Sequence, residues 1–307
     1  MKLLRSVPVA FCGLALAVAA LGNLLHPYGE VIRYICGILA TVILIMFILK
    51  IILDFSHVRE EFKTPIALSA LPTSTMAVML LSAYARPYAG VFAVFLWYAV
   101  IVIHVCIMLF FFKRFILGFK LDTVFPSWFI TFVGIAAASV TAPVMGNILI
   151  GQIAFYFGLV LYFIVLLLVI YRMIKVKMFP EPAYPTIAIC TAPVSLLIAG
   201  YANSFVQQGR QNDPLIYLML AIAALSYVYV TIKMISLLRA KFYPTYAAFT
   251  FPYVISATAF RFGAAFLAER GINFFNPVAS ISEWIAVAVV VYVLARYVLF
   301  FRKQINI

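Results

Sequence analysis

Charge is what this chain has least of. Of 307 residues only 10% are Asp, Glu, Lys or Arg, and nine are acidic. A soluble domain of this length needs a far more polar surface, which excludes that class. Cysteine is also scarce. Cys12, Cys36, Cys106 and Cys190 each stand alone in an apolar run, so neither a disulfide framework nor a metal centre is expected. A carboxylate pair, an HExxH motif and a Ser/His or Ser/Lys dyad at membrane depth are all missing, so no enzyme and no cofactor is implied. The net charge of +13 does not point to nucleic acid. Its Lys and Arg residues fall in short clusters between apolar runs, not in a patch interleaved with aromatics.

What remains is apolar: 67% hydrophobic residues and a mean hydropathy of +1.15. Segments able to cross about 30 Å of hydrocarbon fall at 7–25, 30–52, 65–84, 89–112, 125–144, 147–173, 184–204, 214–238, 243–268 and 279–301. MKLLR before the first run resembles a signal peptide, but Pro8 fits the repeat described next and the run reads as an uncleaved span. Seventeen basic residues, Lys50, Lys113, Arg114, Lys177 and Arg239 among them, lie in the amino-terminal tail, after even spans or at the carboxy-terminal end. Only Arg33, Arg86, Arg210, Arg261 and Arg270 lie at the opposite ends. Both termini are therefore expected in the cytoplasm.

Prolines open the odd spans: Pro8, Pro65, Pro126, Pro185 and Pro244, at intervals of 57, 61, 59 and 59 residues. A fixed period marks a repeated unit, here a two-helix hairpin present five times (about 1–60, 61–120, 121–180, 181–240 and 241–307) in one transmembrane domain. A unit with two spans returns to its starting side, so the copies run parallel and are related by rotation about the membrane normal. The expected fold is all-α: ten transmembrane helices as five parallel hairpins in a pseudo-five-fold ring around a central pore.

Composition suggests which helix of each hairpin faces the axis. Over twenty residues from each opening proline the odd spans hold 0, 5, 4, 4 and 4 Ser and Thr, whereas windows of the even spans hold 1, 0, 0, 2 and 1. Mid-helix prolines Pro72, Pro193 and Pro252 also occur only in odd spans, and each frees a carbonyl inside the membrane. A conduction path benefits from such groups; the alternative is that small and hydroxylated residues help helices pack.

Four stretches, PVAFCG at 8–13, KTPIALSALP at 63–72, FPSWFITFVG at 125–134 and AAFTFPYVISATAF at 247–260, resemble the tellurite-resistance/dicarboxylate transporter family, to which the plant guard-cell slow anion channels belong. The resemblance implies five hairpins around a pore, assembled as a homotrimer with one pore per subunit. It implies a pore-occluding phenylalanine at Phe251 and a pore-facing glycine at Gly13. The function it implies is an anion channel or channel-like transporter of the bacterial inner membrane passing small inorganic or carboxylate anions; the family also supplies proton-coupled dicarboxylate, sulfite or tellurite carriers.

Ser69, Thr73, Ser74, Ser139, Thr141, Thr191, Ser195, Thr250, Ser256 and Thr258 are the candidate lining hydroxyls. Spans 1, 3, 5 and 7 carry no mid-span Lys, Arg or carboxylate, which suits uncoupled permeation better than proton coupling. Arg261 and Glu283 are placed to reach equal depth in the last hairpin, either as an interfacial pair or as charges of an outer vestibule. His104, in an even span, reads as a packing or interhelical group. LDFSHVREEFK at 53–63 reads as a solvated loop.

Overall fold

The computed structural model describes residues 2–176, 179–237 and 241–305; Lys177 and Arg239 of the basic count lie outside them. Among the described residues there is helix and no strand, and nine helices are long and apolar enough to cross a membrane. With the shorter apolar helix they are α1 (Phe11–Leu24), α2 (Glu30–Leu53), α3 (Pro65–Ala89), α4 (Val91–Ile116), α5 (Trp128–Met145), α6 (Ile148–Lys175), α7 (Glu181–Gln208), α8 (Asp213–Leu237), α9 (Pro244–Ala268) and α10 (Asn276–Gln304).

α1 is shorter than the run at 7–25 suggests. It has 14 residues, about 21 Å at 1.5 Å per residue. Its beginning is wound more tightly: Phe11, Cys12 and Gly13 donate their N–H groups to Pro8, Val9 and Ala10, three residues back. Such turns rise about 2 Å per residue, so the stretch from Pro8 gains length that helix bounds alone miss. The other odd helices also open irregularly. α3 breaks at Leu71 between Pro65–Ala70 and Pro72–Ala89, α7 begins with a 3₁₀ stretch over Glu181–Thr191, and α9 does so over Pro244–Phe249. α5 is interrupted by a 3₁₀ turn at Gly134–Ala136.

Burial separates odd from even. In the most apolar window of each helix, 61, 78, 89 and 72% of residues are buried in α3, α5, α7 and α9, against 33, 28, 33, 33 and 33% in α2, α4, α6, α8 and α10. α1 has thirteen buried residues of its fourteen. Each odd helix packs on the even helix that follows it, and the odd helices pack on one another in sequence, with α9 returning to α1. The even helices leave side chains such as Ile38, Phe95, Val102, Leu167, Leu225 and Val291 exposed, a surface suited to lipid. The α3–α4 link is one residue, Gly90, whose φ of 51° and ψ of −122° strain any residue with a Cβ.

Hydroxyls stitch neighbouring odd helices. Tyr84 Oη donates to Ala19 O at 2.6 Å between α3 and α1. Thr131 Oγ1 donates to Ser69 O at 3.3 Å between α5 and α3, and Ser69 Oγ reaches Ser127 Oγ at 2.6 Å. Ser139 Oγ donates to Gly200 O at 3.0 Å, and Ser204 Oγ to Ser139 O at 2.7 Å, between α5 and α7. Ser256 Oγ on α9 lies 3.1 Å from both Thr191 Oγ1 and Ser195 Oγ on α7. Thr250 Oγ1 on α9 donates to Gly13 O on α1 at 3.5 Å. Each such bond in a membrane interior is worth about 0.6 kcal/mol on average, and together they fix which helix lies beside which.

Candidate functional site

A cavity of about 350 Å³ opens where the odd helices begin. Its wall draws on all five: Gly13 and Leu16 of α1, Thr73 and Met76 of α3, Val133 and Gly134 of α5, Pro193 and Leu196 of α7, Phe251 and Pro252 of α9. No residue of α2, α4, α6, α8 or α10 lines it. The farthest lining positions, Leu16, Met76, Gly134, Leu196 and Pro252, stand eight or eleven residues past the opening prolines. All five helices thus contribute to comparable depth. Phe251 is 8% exposed and makes no ring–ring contact among the described residues, whereas its neighbour Phe249 packs on Tyr246.

Five helix beginnings converge on this space. The first turns of a helix present unpaired N–H groups and a positive dipole end, worth about 0.3–1 kcal/mol to a nearby anion. Hydroxyls also bond to carbonyls beside the breaks. Thr73, Ser74 and Thr75 donate to Ala70 O, Leu71 O and Pro72 O at 2.7, 2.7 and 2.8 Å around Pro72. Ser195 donates to Thr191 O at 2.9 Å beside Pro193, and Thr250 to Ala247 O at 2.6 Å before Pro252.

The sequence-derived site residues divide into two groups. Phe251, Gly13, Thr73, Pro193 and Pro252 border the cavity. Ser69, Ser139, Thr191, Ser195, Thr250 and Ser256 are fully buried in the seams between odd helices, and Pro72 is buried at the break in α3. Of the further hydroxyls, Thr141 accepts from Trp97 Nε1 at 2.8 Å, and Thr258 donates to Val254 O at 3.0 Å. His104 is buried, its Nδ1 2.7 Å from Thr75 Oγ1, and it does not reach the cavity.

Arg261 and Glu283 lie toward the opposite end. Arg261 Nη1 is 3.3 Å from Glu283 Oε2 and donates to Leu24 O at 2.7 Å. A hydrogen bond to the Glu283 carboxylate raises the pKa of Tyr28, which adds the α1–α2 link to this group. Neither charged residue lines the cavity.

The solvated-loop reading of 53–63 needs correction at one residue. Phe55–Glu61 is a short helix, and its last residue turns inward. Glu61 lines the cavity mouth and pairs with Lys50 of α2, whose side chain is 1% exposed. The desolvated ammonium requires such a partner. Lys50 sits in the last turn of its helix, where sequence alone assigns it to topology.

An all-helical chain with polar seams, a lipid-suited outer face and a cavity walled by alternate helices is a multi-pass membrane protein of the channel or transporter class. The family model SLAC1, voltage-dependent anion channel, matches residues 6–298. The chain belongs to this family, an anion channel and transporter family of the membrane. No curated protein matches it.

Proposed function

We propose that the ten helices form five parallel hairpins in a ring, residues 1–307 making one transmembrane domain, and that small inorganic or carboxylate anions pass along the axis of α1, α3, α5, α7 and α9. One observation carries this reading: all five of those helices reach the cavity wall to matched depth and none of the even helices does, with Phe251 among its inner residues. Phe251 is the occluding group. Its ring is uncharged, stands next to Pro252, and closes a narrow bore without offering a hydrogen bond, so passage requires the ring to move or the constriction to wet. Gly13, whose missing side chain leaves room against Ala247, and Thr73 shape the path. The seam hydroxyls hold the ring together.

The basic ends of the even helices support a cavity mouth and termini on the cytoplasmic side. The family resemblance supports a homotrimer in a bacterial cytoplasmic membrane. Anion preference arises from the converging helix beginnings and the basic field of the whole chain rather than from a fixed cation on the wall.

Reconstitution in proteoliposomes with an anion-substitution series, with and without an imposed pH gradient, tests the proposal. Flux that varies with the anion and persists without a pH gradient is expected. Flux that requires the proton gradient replaces passive passage with a coupled carrier.

A further inference from the structure

Glu61 is the one charged side chain among the described residues lining the cavity, and its sign opposes anion passage. Two donors hold it and an imidazole lies close. Lys50 Nζ contacts Oε1, His57 Nε2 lies 3.3 Å from the same oxygen, and the Val9 N–H donates to Oε2 at 3.4 Å. Neighbouring charges are engaged elsewhere: Arg5 lies 3.8 Å from Asp54, and Lys63 is 2.5 Å from Glu60.

An ammonium, a backbone N–H beside the opening proline of α1 and an imidazole converging on one point are the groups that bind a carboxylate or a small inorganic anion. Here the bound carboxylate belongs to the chain. Glu61 ends its helix and its side chain is 23% exposed, which gives it a way to turn toward solvent. Lys50, being buried, must then take another anion.

We propose that Lys50, the Val9 amide and His57 form an anion-binding site at the cavity mouth, and that the Glu61 carboxylate is its tethered occupant, exchanged for a mobile anion on the way through. The proposal deepens the anion-passage reading and rests on it for the role of the site, but binding itself is measured without flux. An outgoing carboxylate and an incoming anion keep the Lys50 charge compensated throughout. Glu61 therefore limits occupancy of the site without being required for it.

The test uses the full chain purified in detergent and in proteoliposomes, with chloride as the probe and gluconate as the bulky control. Glu61→Gln should gain a chloride-dependent rise in melting temperature that the parent protein lacks, and Lys50→Met/Glu61→Gln should lose it. Half-saturation of chloride flux should fall about tenfold in Glu61→Gln. If Glu61→Gln melts lower in both anions and the double variant recovers the parent value in both, the pair is only structural and the proposal is overturned. Should Glu61→Gln not fold, Glu61→Asp carries the same test, since it withdraws the carboxylate by one methylene and keeps its charge; an unchanged chloride response there overturns the proposal too. Chloride-dependent melting without flux in any variant leaves the site and removes the passage reading. Flux without chloride-dependent melting removes the site alone.

Discussion

Arg261 of α9 donates through Nη1 to the carbonyl of Leu24, 2.7 Å away and 237 residues earlier in the chain. Leu24 is the last residue of α1, so the guanidinium takes a carbonyl at a helix end whose dipole favours a cation. The same nitrogen lies 3.3 Å from Glu283 Oε2 on α10. One side chain thus joins the first helix to the last hairpin.

Arg261→Met should therefore lower stability by about 2–3 kcal/mol, because it leaves the buried Glu283 without its cation and the α1 end without a cap. Arg261→Met/Glu283→Gln should recover most of that loss. Melting temperatures of the purified protein read both effects. Equal melting of parent and single variant would remove the clamp.

Gly134 stands where α3 and α4 press on α5: a Cβ there would meet Met76 Sδ at 2.7 Å and His104 Cε1 at 3.1 Å. Met76 can shift, but the His104 ring is held by Thr75. Gly134→Val should cost about 1–3 kcal/mol through overpacking, read as a lower melting temperature. A variant as stable as the parent would mean that the α3–α5 contact yields more readily than this packing allows.

Thr73 and Ser139 separate the wall from the seam. On a background without native cysteines, Thr73→Cys should react with a charged thiol reagent applied from the cavity side and reduce anion flux. Ser139→Cys, in a fully buried position bonded across to α7, should stay unlabelled. Mass spectrometry of labelled protein reads the difference, and equal labelling would undo the division.

Ser139 also shows what the sequence could reveal and what it could not. The sorting of Ser and Thr into odd spans was legible, because it follows from the odd helices being buried and the even ones lipid-suited. The partners of those hydroxyls were not legible. Ser139 bonds to Gly200 and Ser204 on a different hairpin, and Ser256 reaches Thr191 and Ser195 across another seam, contacts that depend on helix rotation. The tight turns that begin at Pro8 stayed hidden because hydropathy does not distinguish 3₁₀ from α winding. Lys50 and Glu61 read as a topology signal and a loop charge. Only the short helix from Phe55 to Glu61 brings them together.

Phe251 carries the central claim. Anion flux into proteoliposomes, measured for the parent and for Phe251→Ala at equal amounts of folded, inserted protein, tests it most directly. The phenyl occlusion predicts a clearly larger flux in Phe251→Ala with the order of anion preference retained. An unchanged flux in a correctly inserted variant would contradict it.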